Sequence, residues 1–294
     1  MLQFVKAVCR TMERIAPLRL AESWDNVCRY SSRKKPILTV NGVCLEESPS
    51  ISSSKKILLT IDLTPTVARE AIDSQSSLVI AYHPTIFRPL SSLTLSNPLQ
   101  RSLLQLAQAG ISVYSPHTAL DSVYGGINDW LAEAFVEPNH DMSWYGMNLK
   151  CLKEKNDSEG GSGRLLTLPL PGLSIVEIVE RVKRHLGITQ VQVTRPYENP
   201  DRRISTVAIC AGSGGSMFEG IDTDLYFTGE MQHHEVLAAR AKNRFVLLCG
   251  HTNTERGYLK VLRQKLVAEQ KEESDLVGLE VEISKMDEHP LVPM

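Results

Sequence analysis

Residues 77–84 read Ser-Leu-Val-Ile-Ala-Tyr-His-Pro. A short apolar run that stops at His-Pro is too brief for a helix and describes a buried strand. The pattern returns: Ile111–Ser115 runs into Pro116-His117, and Phe245–Cys249 runs into Gly250-His251. Between such runs lie segments of helical period. Thr64-Pro65 is a start signal for a helix over Thr66–Asp73, and Pro98–Ala109 and Gln232–Lys242 read as further helices. Strand and helix alternating in this way predict an α/β fold with mostly parallel sheets.

Working outward, Lys55–Leu63 (KKILLTIDL) reads as a further buried strand. Phe4, Val8, Met12 and Ile15 recur at helical spacing, so residues 2–16 read as an amphipathic helix. Lys6, Arg10, Arg14 and Arg19 would also suit a weak mitochondrial presequence, but the apolar stripe favours the first helix of the fold. A helix begins over Asn128–Phe135 after Gly125-Gly126. The later strands are Leu165–Leu168, Val191–Thr194, Thr206–Cys210, Asp224–Thr228 and Leu279–Ile283, with helices at Ser174–Leu186, capped by its serine, and Thr254–Ala268. Residues 136–163, with Pro138, Asn156-Asp157-Ser158 and Gly160-Gly161-Ser162-Gly163, read as a connection between an N-terminal lobe at 1–135 and a C-terminal lobe at 164–294.

Composition narrows the classes. With 42% apolar residues the chain can bury a sizeable core. Its net charge of -2 argues against nucleic-acid binding through bulk positive charge. No apolar run reaches the roughly 18 residues that span a bilayer, so no membrane role is expected. The six cysteines are scattered without a C-x-x-C pair, which points to reduced thiols in a cytoplasmic setting, with mitochondrial or nuclear residence as the alternatives.

His83, His117, His233, His234 and His251 all stand just past the C-terminal ends of predicted strands, where open α/β sheets form their ligand crevices. Taken singly, a strand-end histidine is an ordinary structural residue; repetition at four strand ends is what makes the set a candidate site. Asp121 follows His117 by four residues in a loop-like segment, and Glu255 follows His251 by four. On one helical turn His251 and Glu255 share a face. Imidazole and carboxylate together suit Zn, Mn, Fe, Co or Ni without distinguishing them. The competing reading of Glu255 is a first-turn acid favoured by the helix dipole behind a Thr252 or Asn253 cap. Ala211–Ser216 (AGSGGS) is glycine-rich but lacks the Walker and dinucleotide spacings, and reads as a tight turn. There is no G-x-S-x-G elbow. Cys249 reads as a small core hydrophobe. His140, His185 and His289 show no partner pattern.

In this order the motifs resemble those of the NIF-three-like family, members of which are often described as GTP cyclohydrolase I type 2. The segments are Ser23-Trp24-Asp25-Asn26-Val27, Tyr82-His83-Pro84-Thr85-Ile86-Phe87, His117-Thr118-Ala119-Leu120-Asp121 with Gly126-Ile127-Asn128, Gly212-Ser213-Gly214, Thr228-Gly229-Glu230-Met231-Gln232-His233-His234 and His251-Thr252-Asn253-Thr254-Glu255. The resemblance implies two related α/β lobes enclosing a central dinuclear metal site and a ring-shaped homo-oligomer. It implies His83, Asp121, His251 and Glu255 as metal ligands, the two acids bridging, with His117, Glu230 and His234 around the cavity. Tyr82 stands where many bacterial members have histidine; a neutral phenol is a poor ligand, so one or two divalent ions are expected. Removing Cys28–Asn41 restores the family pattern, which marks these residues as an insertion, either a retained intron or a lineage-specific loop.

The function so implied is a divalent-metal-dependent hydrolase acting on nucleotides or phosphoesters through metal-bound hydroxide. The alternative is a non-catalytic metal-binding or protein-interaction module, since the family takes its name from a partner of a transcriptional regulator.

Overall fold

The computed structural model describes residues 2–27, 43–45, 54–136, 148–155 and 159–291. The expected insertion at 28–41 and His140 lie outside the described residues. The strands are β1 (Val43–Leu45), β2 (Lys56–Thr60), β3 (Leu78–Ala81), β4 (Ser112–Tyr114), β5 (Leu149–Lys155), β6 (Gly160–Thr167), β7 (Gln192–Thr194), β8 (Thr206–Ser213), β9 (Leu225–Glu230), β10 (Phe245–Leu248) and β11 (Glu280–Ile283). The helices are α1 (Leu2–Ile15), α2 (Pro65–Asp73), α3 (Pro98–Gln108), α4 (Thr118–Ser122), α5 (Ile127–Ala132), α6 (Ile175–Leu186), α7 (His233–Ala241), α8 (Asn253–Arg256) and α9 (Leu259–Ala268). Two compact units result: Met1–Leu120 with Leu259–Glu288, and Asp121–Tyr258 with His289–Met294.

The first unit is built on a sheet of order β1-β4-β3-β2-β11. β4, β3, β2 and β11 are parallel, with Leu58 opposite Val79 and Val79 opposite Val113; β1 alone is antiparallel. All of β3 is buried, as a parallel strand covered on both faces must be. Leu58, Val79 and Val113 pack on Val67 and Ala71 of α2 and on Leu103 and Leu106 of α3. By strand alternation Ile57 and Leu59 point the other way, where α9 packs on β2 and β11 and α1 packs on α9. The start signal at Thr64-Pro65 works as predicted: the Thr64 hydroxyl accepts from the Val67 N–H at 3.3 Å. Val8 and Met12 of α1 are fully buried, and Arg10 and Arg14 on its outer side pair with Glu273 and Glu269.

The second unit carries a sheet of order β5-β6-β8-β9-β10-β7. Only β8, β9 and β10 are parallel; β5, β6 and β7 pair antiparallel. This corrects the expectation of mostly parallel sheets for this part of the chain. β5 and β6 are joined across residues 156–159, and so short a connection permits only an antiparallel pair. The glycine-rich stretch at 160–163, expected as part of a linker, begins β6. A Cβ on Gly161 would lie 2.2 Å from the Lys153 carbonyl oxygen, so glycine serves a close strand approach here and not flexibility. Arg164 follows, fully buried. It pairs with Asp129 and donates to the carbonyls of Gly161 (2.6 Å), Gly163 (2.8 Å) and Val123 (3.0 Å).

α6 confirms the predicted serine cap: Ser174 and Glu177 form a reciprocal capping box, and Gly187 closes the helix with φ +68°. The expected continuous helix over Thr254–Ala268 is instead two, α8 and α9. Gly257 abuts the Trp130 ring, where a Cβ would lie 2.4 Å from Cζ2, and the buried Tyr258 donates its hydroxyl to the Gly125 carbonyl at 2.9 Å. Both contacts fall at the two residues that separate α8 from α9.

Candidate metal centre

In the first unit His83 follows β3, and Asp62 follows the parallel neighbour β2. Their strand ends lie side by side, and His83 Nδ1 is 2.9 Å from Asp62 Oδ1. With Nδ1 turned to a carboxylate, Nε2 is the nitrogen that presents its lone pair for ligation. Sequence reading missed Asp62; its signal was position, an acid two residues past the end of an adjacent parallel strand.

His117 follows β4 by the same logic. Its φ is +35°, a left-handed conformation that costs a non-glycine residue energy. The surroundings hold it there: its N–H donates to the Tyr82 carbonyl (3.1 Å), and its Nδ1 is 2.7 Å from Asp25 Oδ1. Burial alone would raise the Asp25 carboxyl, but hydrogen bonds from His117 and from the Thr118 hydroxyl and N–H keep it below the usual carboxylate range. Trp24 and Phe87, 61% and 55% exposed, flank the His117 ring with centroids 5.9 and 6.5 Å away. Tyr82 is buried and 5.5 Å from the His117 ring.

In the second unit His251 leaves β10 and Glu255 lies in α8. His251 Nε2 is 3.4 Å from Glu255 Oε1, so the predicted i,i+4 facing is realised although His251 itself precedes the helix. His251 Nδ1 is 2.9 Å from Oε1 of Glu230 at the end of β9. The pair rests over Gly212, whose φ is +64°. A Cβ there would lie 2.7 Å from Glu255 Oε1 and 2.9 Å from His251 Nε2, so the backbone forms a cradle that only glycine leaves open. The Gly212 N–H donates to the Thr254 hydroxyl (2.9 Å), which donates to the His251 carbonyl (2.7 Å).

Asp121 lies in α4, a short helix where a loop-like segment was expected. Its carbonyl accepts from Asn128 Nδ2 (3.0 Å), and Asn128 Oδ1 accepts from the N–H of Ala211 (2.9 Å), the residue before Gly212. The structure thus ties the Asp121 backbone to the strand end beneath His251 and Glu255. His234 is on α7, exposed, and lines a separate hollow of about 410 Å³ with Phe218, Tyr226 and Met231. Burial pushes the Cys249 thiol up to about 12, in keeping with an inert core cysteine.

The chemistry of these donors fits a divalent cation. A buried carboxylate converges with an imidazole over a cradle, and the two candidate ligand histidines are each oriented through Nδ1 by an acid, Asp62 or Glu230. This is the outer arrangement that metal-binding histidines require. The family model for Duf34/NIF3 (NGG1p interacting factor 3) matches residues 4–290. The chain belongs to the Duf34/NIF3 family. The NIF3 homolog of Schizosaccharomyces pombe is 43% identical over 97% of this chain and 96% of its own length. The Saccharomyces cerevisiae protein named NGG1-interacting factor 3 is 36% identical over 96% and 94%. A Staphylococcus aureus protein of solved structure superposes with a TM-score of 0.77 at 20% identity, over 98% of both chains, which shows a shared fold. Among the described residues no helix of this NIF3-family chain is long and apolar enough to cross a membrane.

Proposed function

We propose that this NIF3-family protein is a divalent-metal-dependent hydrolase, with His83, Asp121, His251 and Glu255 as metal ligands and nucleotides or phosphoesters as substrates. The observation that carries the reading is the approach of His251 Nε2 to Glu255 Oε1 at 3.4 Å over Gly212. The bound ions would supply Lewis acidity and an acidified water. Asp62 and Glu230 fix the ring orientations of His83 and His251. His117, held at Nδ1 by Asp25, presents Nε2 for proton transfer. The exposed rings of Trp24 and Phe87 offer flat apolar surface beside His117, which favours a nucleotide base over a simple phosphoester. Tyr82 offers a phenol where an imidazole would hold a second ion more tightly.

The test is elemental analysis of the purified protein, followed by a turnover panel of nucleotides and phosphoesters with each of the five candidate metals. Wild-type turnover that Glu255→Gln and Asp121→Asn abolish, without change of fold, supports the proposal. A metal-loaded protein inert across the panel defeats the hydrolase reading. A second reading, a protein-interaction role, is favoured by the name of the yeast relative. There, partner capture should survive both substitutions. A ring-shaped homo-oligomer is also proposed, to be measured by light scattering in solution.

A further inference from the structure

The residues after β11 carry no motif. In the structure they are pinned from the start: the Ser284 N–H donates to the Leu59 carbonyl (2.8 Å), and the Lys285 N–H to Glu70 Oε1 (2.9 Å). Asp287, buried, accepts the Ile61 N–H on Oδ2 at 3.1 Å. Ile61 immediately precedes Asp62, the acid that orients His83. Two residues further, His289 Nδ1 lies 2.8 Å from the Thr252 hydroxyl. Its ring also rests against Gly250, where φ is +87° and a Cβ would lie 3.0 Å from His289 Nε2. Thr252 and Gly250 are the two neighbours of His251.

We infer that Ser284–His289 is a positioning strap for the ligand-bearing turns: His289 braces the Gly250–Thr252 turn that carries His251, and Asp287 braces the Ile61-Asp62 turn that orients His83. This rests on the metal-ligand reading of His251 and His83. The turn at 250–252 is also held at the His251 carbonyl by the Thr254 hydroxyl (2.7 Å). It passes through a left-handed glycine, and the short helix it enters has no side-chain hydrogen bond at its cap. The Thr252 hydroxyl is instead held by His289 from the tail and by Arg256 Nη1 of the same short helix at 3.1 Å. A ligand loop fixed before the ion arrives binds it more tightly than one that must order on binding.

The experiment uses the full chain as wild type, His289→Ala, His289→Asn and Asp287→Ala. Asparagine places a polar atom near the position of Nδ1 and should rescue the contact to Thr252. Backbone amide exchange is read in metal-free protein, and Zn²⁺ affinity by competition with a chromophoric chelator. His289→Ala should speed exchange over residues 250–256 while leaving β8–β10 protected, and should weaken Zn²⁺ binding by about tenfold, the usual size of a lost outer support. His289→Asn should restore most of both, and Asp287→Ala should speed exchange at residues 61–63. Unchanged exchange over 250–256 in His289→Ala, or no recovery in His289→Asn, overturns the strap; so does unchanged Zn²⁺ affinity where the wild type binds. If the wild type binds no Zn²⁺ the metal reading fails in this assay, and the exchange data still decide the strap.

Discussion

His251 Nε2 lies 3.4 Å from Glu255 Oε1, and the Glu255 side chain is almost wholly buried. A buried carboxylate is costly unless a cation balances it. Glu255→Gln keeps the shape and removes the charge. Tight divalent binding should be lost, while the metal-free protein should melt at the same temperature as the wild type or higher. Titration calorimetry and thermal melts with and without metal check both halves of the expectation.

Gly212 and Gly187 form a matched pair. Both have positive φ, but a Cβ on Gly187 meets nothing within 4 Å, whereas on Gly212 it meets Glu255 and His251. Each change to alanine should cost about 1–2 kcal/mol for the left-handed backbone. Only Gly212→Ala should also weaken metal binding, since it displaces the carboxylate. Urea unfolding gives the first quantity and metal titration the second.

Arg164 is fully buried against Asp129. Arg164→Ala should destabilise the protein by about 3–5 kcal/mol, because Asp129 is left as a buried charge without its cation. The urea midpoint should fall with little change in slope. A loss below about 1 kcal/mol would show that solvent reaches Asp129.

The Asp25 carboxyl is held below its ordinary value. A depressed folded-state value means that its stability contribution is present above the unfolded carboxyl pKa, about 3.9, and is lost as pH falls through the lower folded value. The wild type should therefore lose stability on acidification below about pH 4, and Asp25→Asn should flatten that limb. Denaturant melts from pH 7 downward measure the difference.

Cys249 adjoins the turn that carries His251, yet burial pushes its thiol up to about 12. Iodoacetamide at neutral pH should modify the partly exposed Cys151 before Cys249. Cys249→Ala should keep full metal affinity. Peptide mass mapping and metal titration check the two statements.

Much of the fold was legible because the signals were local. Leu78–Ala81 and Phe245–Leu248 are strands where the apolar runs sit, and Ser174 caps α6 as its hydroxyl and Glu177 require. His251 and Glu255 were readable for the same reason, since four residues across a helix start fix a common face. Where local signals misled, a tertiary contact intervened. Gly160–Gly163 carries the composition of a linker but is a strand, and at Gly160 and Gly161 neighbouring backbone comes too close for a side chain. The helix expected over Thr254–Ala268 breaks where Gly257 meets Trp130.

The sequence by itself determined the α/β elements, the family, and the histidines and acids worth examining, since period, caps and motifs are written in neighbouring residues. Which acid serves which histidine was decided only in three dimensions. Asp62 reaches His83 across 21 residues, Glu230 reaches His251 across 21, and Asp25 reaches His117 across 92. His289, without any pattern of its own, stands beside Thr252 across 37 residues. Such partners are set by strand order and register, and those follow from how whole faces pack, which no short stretch of residues encodes.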